Sequence, residues 1–252
     1  MQIRVIIFTS CFLLTASYLS GYLFTDNESM NVVVETTILP EKDVRSLLEI
    51  RSVIDSVEHA FREKGLGRIQ MPSKSYLYYE KYKGDLRVMP SYLEDLDVSA
   101  VKVVNAHTEN RSKGLPSVMG SIILIDPKTG FPLSIMGGTW ITAMRTGATS
   151  AISAKYLARE NSAVLGIIGT GIQATTQLMA MLEIRKEIRE VKAYDQDRDR
   201  QNAFLKEAAS IFPALRISGE SKEETVVRSS DICITITPTR KPHIRDDWVR
   251  PG

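Results

Sequence analysis

The chain of 252 residues contains few cysteines and no marked excess of either charge. Cys11 and Cys233 lie far apart in apolar runs, so neither a disulfide framework nor a metal site is predicted, and a reducing compartment is favoured. Lys and Arg together number 32 against 30 for Asp and Glu, without a basic run, so nucleic acid is not an expected partner. Cys233, within ICITIT, is predicted to be buried in a strand.

One long uncharged run is present, and it lies near the N-terminus. Residues 5–24, VIIFTSCFLLTASYLSGYLF, are long enough to span a bilayer and exceed the roughly 7–15 residues of a signal-peptide core. Arg4 precedes the run and Asp26 and Glu28 follow it, so an anchor would place most of the chain outside the cytosol. Three interpretations of residues 1–29 remain open: an extension upstream of a start at Met30, a membrane anchor, and a cleaved signal.

The next part of the chain, residues 30–140, mixes helices with short strands. Residues 39–65 have the apolar spacing of one or two amphipathic helices, and residues 74–133 contain β-type runs divided by turn residues. Residues 139–158, rich in Ala, Ile and Met, predict a long helix with a threonine as its N-terminal cap. We therefore expect an N-terminal α+β domain.

Residues 141–252 alternate apolar strands with helices. Runs such as AVLGII, VKAYD and DICITIT are separated by amphipathic segments such as QATTQLMAMLEIRKE and DRQNAFLKEAASIF. This order predicts a parallel sheet covered by helices on both faces, and so an α/β domain of the Rossmann type.

The run LGIIGTGIQA indicates what this domain binds. Gly169 is expected to close the first strand in a tight turn, and Gly171 lets the backbone approach a pyrophosphate. The charge of that group would meet the free N–H groups of the helix that starts near Gln173. Ala174 takes the third small position, and Asp195 ends the second strand about 20 residues later, where an acid bonds the adenosine ribose. A dinucleotide site is therefore predicted.

The acid also bears on which dinucleotide is bound. Asp195 repels a 2′-phosphate and favours NAD, whereas Arg198, close by in sequence, keeps NADP open. Free cofactor is scarce outside the cytosol, so a cytoplasmic location is expected, with membrane anchoring through residues 5–24 as the alternative.

Several separate motifs resemble the ornithine cyclodeaminase/mu-crystallin family. They are QMPSKSYL, GDLRVMP, VKVVNAHTEN, KGLPSVMGSIILIDPKTGFPL and TWITAMRTGATSAISAKYLARENSAVLGIIGTGIQA. The resemblance runs from about residue 39 to residue 252. It is closest to the archaeal-type alanine dehydrogenases, where the Lys of MPSK and the Arg of GDLRVMP occur together.

The resemblance implies roles for five residues of the first domain. Lys74 and Arg87 would hold the substrate carboxylate, since a cationic pair with a forked guanidinium suits a planar anion. Lys102 would be the catalytic acid/base, because neighbouring cations disfavour its protonated form. Arg145 would bridge the substrate and the cofactor phosphates, and Ser117 would contact the cofactor.

In the second domain, the resemblance implies that the cofactor lies against the glycine turn and the ends of two strands. The residues implied to bind it are Gly169, Gly171, Ile172, Gln173, Asp195, Thr237 and Pro238. Family members continue past WVRPG, so the resemblance also predicts that the Rossmann domain is incomplete here and the activity of this chain uncertain. Residues 30–252 alone are then expected to aggregate, whereas a full-length form would be a homodimer.

Three functions follow as alternatives. The first is NAD-dependent interconversion of L-alanine with pyruvate and ammonia, which Arg87 favours. The second is ornithine cyclodeamination to proline and ammonia, with NAD reduced and reoxidised in one turnover. The third is a non-catalytic, nucleotide-binding member of the family.

Overall fold

The computed structural model of the chain describes residues 4–7, 12–15, 35–239 and 241–251. Most of the apolar run 5–24, together with Met30, lies outside these ranges. Within them, no helix is both long and apolar enough to cross a membrane. The chain divides into two compact units, Met1–Arg145 and Thr146–Gly252, each of which is described by itself.

The first unit contains a seven-stranded sheet, with two helices between the first and second of its strands in chain order. Its elements are β1 (Arg4–Ile7), β2 (Phe12–Thr15), β3 (Thr37–Leu39), α1 (Glu41–Leu47), α2 (Ile50–Gly65), β4 (Ile69–Gln70), β5 (Ser75–Tyr79), β6 (Gly84–Leu93), β7 (Val98–His107), β8 (Val118–Ile125) and β9 (Pro132–Gly137). Strands β1 and β2 form a separate antiparallel pair. The sheet order is β3-β9-β8-β7-β6-β4, with β5 also paired to β6, and only β3 and β9 run parallel.

Strand alternation gives this sheet one buried face, and apolar residues dominate it. The buried face is built from Met89, Leu93, Ala100, Val104, Ile122, Leu124 and Met136, all 9% exposed or less. The predicted helices over residues 39–65 are present as α1 and α2. Val53, Ile54, Val57 and Ala60 of α2 are fully buried, as their helical spacing requires.

A third helix, α3 (Thr139–Leu157), begins directly after β9. Its first N–H groups, those of Thr139 and Trp140, donate to the carboxylate of Glu41 on α1. The predicted threonine cap is therefore wrong, because an acid distant in sequence occupies the start of the helix. Gly137 permits this approach, since a Cβ there would lie 2.4 Å from Oε2 of Glu41. The capped helix carries Arg145.

The second unit is a four-stranded parallel sheet with helices between its strands. Its elements are β10 (Val164–Ile168), α4 (Gln173–Ile184), β11 (Glu190–Tyr194), α5 (Arg198–Ile211), β12 (Arg216–Gly219), α6 (Glu223–Ser229) and β13 (Ile232–Thr235). The sheet order is β12-β11-β10-β13, all parallel. The chain thus adds β11 and β12 on one side of β10 and then places β13 on the other side of β10, which is the Rossmann order.

Helices cover this sheet as the alternation predicts. One core cluster contains Leu165, Ile167, Ala174, Leu178, Met181, Val191, Phe204 and Ala208, and a smaller one contains Ile168, Val226 and Val227. The prediction that Cys233 is buried is wrong: the residue is exposed. Strand β13 lies at the edge of the described sheet, so only Ile234 of its four residues is buried.

Candidate functional site

Lys102 is a buried lysine in the middle of the first sheet. It lies on β7 directly opposite Met89 on β6 and Ile122 on β8, and only 1% of its surface is exposed. Lysine is almost never fully buried unless a partner or a function holds it there. Strand alternation thus places a primary amine among apolar neighbours, a setting suited to a proton-transfer group.

Arg87 lies on the same face of the sheet as Lys102. Arg87 pairs with Val104, two residues along β7 from Lys102, so the two side chains are diagonal neighbours. Diagonal positions on adjacent strands lie about 7–8 Å apart, within the reach of long side chains. The register therefore brings together the predicted carboxylate-binding arginine and the predicted acid/base.

Two neighbours of Arg87 hold its guanidinium. Nη2 donates a hydrogen bond to Oδ2 of Asp85 at 2.7 Å, and Nε lies 2.7 Å from Oδ1. The guanidinium carbon lies 5.6 Å from the ring centre of Tyr76, which is the cross-strand partner of Arg87 on β5. The hydrogen bond to Asp85 raises the pKa of Arg87 above its ordinary value, so Arg87 remains a cation at neutral pH.

Lys74 contacts the same aromatic ring. It is exposed just before β5, and its Nζ lies 5.7 Å from the ring centre of Tyr76. A cavity of about 420 Å³ opens here, lined by Met71, Pro72, Ser73, Lys74, Tyr76, Met89 and Pro90. Because Met89 is also the cross-strand neighbour of Lys102, the cavity lies beside the buried amine. Of the three predicted residues, Lys74 lines the cavity, whereas Arg87 and Lys102 are the cross-strand neighbours of two lining residues, Tyr76 and Met89.

Arg145 and Ser117 are the other two predicted site residues of the first unit. Arg145 is on α3, where burial lowers its pKa to about 10, so it is still a cation at neutral pH. Ser117 precedes β8, and its carbonyl accepts from the N–H of His107 at 2.8 Å. Lys102 pairs with Ile122 on β8, and Ser117 lies five residues before Ile122. Along the strand direction, Ser117 is therefore about 17 Å from Lys102. Ser117 is therefore not grouped with Lys102.

The glycine turn of the second unit has the conformation that its sequence predicts. Gly169 has a φ of +95°, and a Cβ there would lie 2.8 Å from the carbonyl oxygen of Ile236. Helix α4 begins at Gln173, and the residue before it, Ile172, supplies no side-chain cap. The first N–H groups of α4 therefore receive no capping bond from Ile172. Such a helix start fits a phosphate group.

Asp195 ends β11 beside this turn and is bound by it. Its Oδ2 accepts from the N–H of Thr170 at 2.7 Å and from the Thr170 hydroxyl at 3.1 Å, and its Oδ1 accepts from the N–H of Asp197 at 2.9 Å. Burial opposes ionisation of Asp195, but these hydrogen bonds outweigh it, so the pKa lies below its ordinary value. A carboxylate has about four acceptor positions, so one remains on Oδ1 for a ligand hydroxyl.

The two arginines nearest to Asp195 in sequence are both engaged. Arg198 donates to the carbonyl of Glu220 at 2.8 Å and to that of Ser221 at 3.3 Å. Arg200 pairs with Asp197 at 2.8 Å. Neither guanidinium donates a hydrogen bond to the carboxylate of Asp195, although the charge of Arg200 is close enough to help lower the pKa of Asp195.

Thr237 and Pro238 follow β13, the strand that lies on the other side of β10. Ile168 on β10 pairs with both Tyr194 on β11 and Thr235 on β13. The Thr237 methyl group would lie 3.1 Å from a Cβ at Gly169. Ligands of open α/β sheets bind outside the carboxyl ends of strands where the strand order reverses, and here that point lies between β10 and β13. Gly169, Asp195 and Thr237 all lie at this edge.

Sequence reasoning missed several residues that shape these sites. They are Asp85, Tyr76, Thr170 and Glu41. Opposite charges two residues apart in the β6 segment could have indicated the Asp85–Arg87 pair, because such residues share a face of a strand. Glu41 gave no such signal, since its partner helix lies 98 residues further on.

A family model and known relatives agree with this geometry. The model of the ornithine cyclodeaminase/mu-crystallin family matches residues 34–252. The chain belongs to this family. The predicted family and the predicted α/β fold are thereby confirmed.

Three relatives are informative. The alanine dehydrogenase of Archaeoglobus fulgidus is 44% identical over 219 residues, which are 87% of this chain and 65% of that protein. The Δ1-pyrroline-2-carboxylate reductase of Thermococcus litoralis, solved with NADH and L-proline, is 43% identical with a TM-score of 0.83, covering 86% of this chain and 67% of that one. An archaeal alanine dehydrogenase dimer with bound NAD is 43% identical with a TM-score of 0.79, covering 85% and 64%. The chain therefore spans about two thirds of the length of these oxidoreductases.

Proposed function

We propose that the protein is an NAD-dependent oxidoreductase that interconverts L-alanine with pyruvate and ammonia. The observation that carries this proposal is the juxtaposition of a buried lysine, Lys102, with a cation, Arg87, on one face of a sheet beside a cavity. A 2-amino or 2-oxo carboxylate needs both groups: a cation for the carboxylate and a proton-transfer group at the neighbouring carbon. The similarity to alanine dehydrogenases supports the choice of alanine.

In this proposal Arg87 and Lys74 bind the carboxylate of the substrate. Nζ of Lys74 and the guanidinium carbon of Arg87 lie 5.7 and 5.6 Å from the ring centre of Tyr76, which lines the cavity, so both cations are near enough to bind one anion there. Charge-assisted hydrogen bonds of this kind are stronger than neutral ones, and the guanidinium can supply two in parallel. The carboxylate is thereby fixed, and C2 of the substrate is oriented beside it.

Lys102 moves the proton. In the direction of alanine oxidation it accepts a proton from the amino group, and in the reverse direction it returns one. Its apolar neighbours Met89 and Ile122 keep bulk water from the amine. Well-placed acid/base groups contribute about 10²–10⁴-fold to a rate, so loss of this amine would remove most turnover.

The edge formed by Gly169, Asp195 and Thr237 would hold NAD, together with Gly171, Ile172, Gln173 and Pro238. When bound there, NAD supplies the acceptor for the hydride of C2. The start of α4, which Ile172 does not cap, would hold the pyrophosphate, and the remaining acceptor position of Asp195 would take a ribose hydroxyl. Arg145, a cation, remains proposed as a contact to the phosphates, and Ser117 as a contact to the cofactor.

A second candidate is the reduction of a cyclic imine. The Thermococcus litoralis reductase is as similar to this chain as the archaeal alanine dehydrogenase, at 43% identity each. Its substrate, Δ1-pyrroline-2-carboxylate, has a C=N bond next to a carboxylate, as does iminopyruvate, the imine formed when alanine loses a hydride, so Arg87, Lys74 and Lys102 would serve both substrates equally. Ornithine cyclodeamination remains the other alternative.

One comparison of substrates separates these candidates. NADH oxidation would be followed with pyruvate plus ammonia and with Δ1-pyrroline-2-carboxylate, and proline formation from ornithine would be followed with catalytic NAD. We expect the highest kcat/KM with pyruvate plus ammonia. Lys102→Met should abolish turnover, whereas the matched surface variant Lys113→Met should not. A higher kcat/KM for the cyclic imine, or net proline formation from ornithine, would replace alanine as the proposed substrate.

We further propose a homodimer formed through the other face of the first sheet. Cross-strand pairing aligns Ile38, Ile135, Ile123 and Val101 on this face, followed by Val103, Val88, Leu86 and Leu77. Ile38, Leu77 and Ile135 are 62%, 59% and 38% exposed, and the other five are partly buried. The described strands place no Asp, Glu, Lys or Arg on this face, although His107 lies on it. Exposed apolar residues grouped on one face of a sheet commonly mark an interface. Leu77→Glu should yield monomers by light scattering, and a dimer that persists would contradict the assignment.

A further inference from the structure

Asp85 lies on β6 with Arg87, and both side chains are on the face that carries Lys102. The carboxylate takes a hydrogen bond from Nη2 and lies 2.7 Å from Nε, so it covers one side of the guanidinium. Asp85 is itself mostly shielded, with 17% of its side chain exposed. The ring of Tyr76 lies 5.6 Å from the guanidinium carbon. Arg87 is thus restrained by two neighbours before any ligand arrives.

The donors of Arg87 can be counted. A guanidinium has five N–H groups in a rigid plane. Nη2 donates one hydrogen bond to Asp85, and Nε is buried against the same carboxylate, 2.7 Å from Oδ1, without making a hydrogen bond. The donors left for a ligand are both N–H groups of Nη1 and the second of Nη2. A substrate carboxylate can therefore be bound in parallel only through the Nη1–Nη2 end. Without Asp85, the Arg87 side chain could adopt several rotamers, and either of two edges of its guanidinium could bind the substrate carboxylate.

We propose that Asp85 is a positioning residue that selects the edge of Arg87 available to the substrate carboxylate. This inference rests on the proposed role of Arg87 in binding that carboxylate. Asp85 does not touch the substrate, and it acts by fixing the guanidinium. Holding a binding group in its productive geometry has a large effect, since misplacement by about 1 Å can cost up to about 100-fold. If Asp85 instead competed with the substrate for Arg87, loss of the Asp85 carboxylate would lower KM for pyruvate rather than raise it.

Asp85→Asn tests directly whether Asp85 promotes or opposes binding of the substrate carboxylate. We expect KM for pyruvate to rise on the order of 10-fold, with kcat and the KM for NADH changed by less than about 3-fold. Asp85→Glu retains the charge but moves it by one methylene, so it should raise KM for pyruvate while leaving the thermal midpoint close to that of the wild type. This second variant keeps the test valid if Asp85→Asn does not fold. A fall in KM for pyruvate, or no change in either variant, would overturn the inference.

A double-mutant cycle shows whether Asp85 acts through Arg87. Asp85→Asn should have no further effect on KM once Arg87→Ala is present, whereas additive effects would mean that the two residues act separately. Glu109→Gln is the matched control, because it removes the exposed ion pair with Lys83 in the same unit. It should leave every parameter unchanged.

Binding of oxamate, an unreactive analogue of pyruvate, separates this inference from the proposed function. Calorimetry with oxamate and NADH requires no turnover. Weaker oxamate binding in Asp85→Asn and Arg87→Ala, without alanine-linked turnover in the wild type, would support the inference and contradict the proposed reaction. Unchanged oxamate binding in Arg87→Ala would show that the carboxylate is held elsewhere.

Discussion

Asp195→Asn would test how the glycine turn is held to β11. Three protein donors converge on this carboxylate: the N–H and hydroxyl of Thr170 and the N–H of Asp197. An asparagine places an NH₂ group where one oxygen had accepted, so at least one buried N–H loses its partner. Such a loss costs about 1–3 kcal/mol. We expect the free energy of unfolding in urea to fall by that amount.

Asp195→Asn should also weaken the binding of NADH more than the binding of NADPH. We expect the wild type to bind NADH more tightly than NADPH, since Asp195 is ionised at neutral pH and neither Arg198 nor Arg200 donates a hydrogen bond to its carboxylate. In Asp195→Asn, the affinity for NADH should fall roughly 10-fold or more through loss of a charge-assisted hydrogen bond. The affinity for NADPH should fall less, because the 2′-phosphate is no longer repelled. Fluorescence titration measures both.

The pH dependence gives an independent check on Asp195. Its pKa is lowered from 3.8 in the folded state, so the stabilisation is complete above about pH 4 to 5 and disappears as the pH falls below 3.8. The difference in stability between wild type and Asp195→Asn should therefore narrow in acid. Asp199→Asn, an exposed acid on α5, is the control for loss of charge alone. An Asp195→Asn protein with unchanged stability, or a wild type that prefers NADPH, would refute the reasoning.

Three further substitutions test other parts of the structure. Gly169→Ala should lower the unfolding free energy by more than about 1 kcal/mol and abolish NADH binding, because it adds a Cβ 2.8 Å from the carbonyl oxygen of Ile236 at a residue with positive φ. Gly130→Ala is the control: a Cβ there has nothing within 4 Å, and NADH binding should be retained. Lys102→Met should remove turnover, because an apolar side chain of similar length replaces the buried amine, and retained turnover would contradict its assignment as the acid/base. Glu41→Ala should cost about 1–2 kcal/mol in urea unfolding, as it uncaps α3, and an unchanged midpoint would refute the cap.

The sequence predicts those features that depend on local periodicity. The apolar run before Gly169 and the acid after the next strand were enough to locate β10, the glycine turn and Asp195. Contacts between residues on different strands are harder to predict from the sequence. The pairing of Arg87 with Tyr76 and its diagonal relation to Lys102 depend on the register of three strands, which periodicity does not define. The exposure of Cys233 depends likewise on which strands flank β13.

Cross-strand register links the proposed chemistry of this protein to its stability. A shift of β6 by one residue would move Asp85 and Arg87 to the opposite face of the sheet. The described strands place no Asp, Glu, Lys or Arg on that face, so a charged pair placed there would lie against Val101 and Val103. The same shift would bring Leu86 and Val88 to the face that carries Lys102. The apolar composition of one face therefore disfavours every register in which Arg87 and Lys102 are separated, and an interface on that face would strengthen this preference.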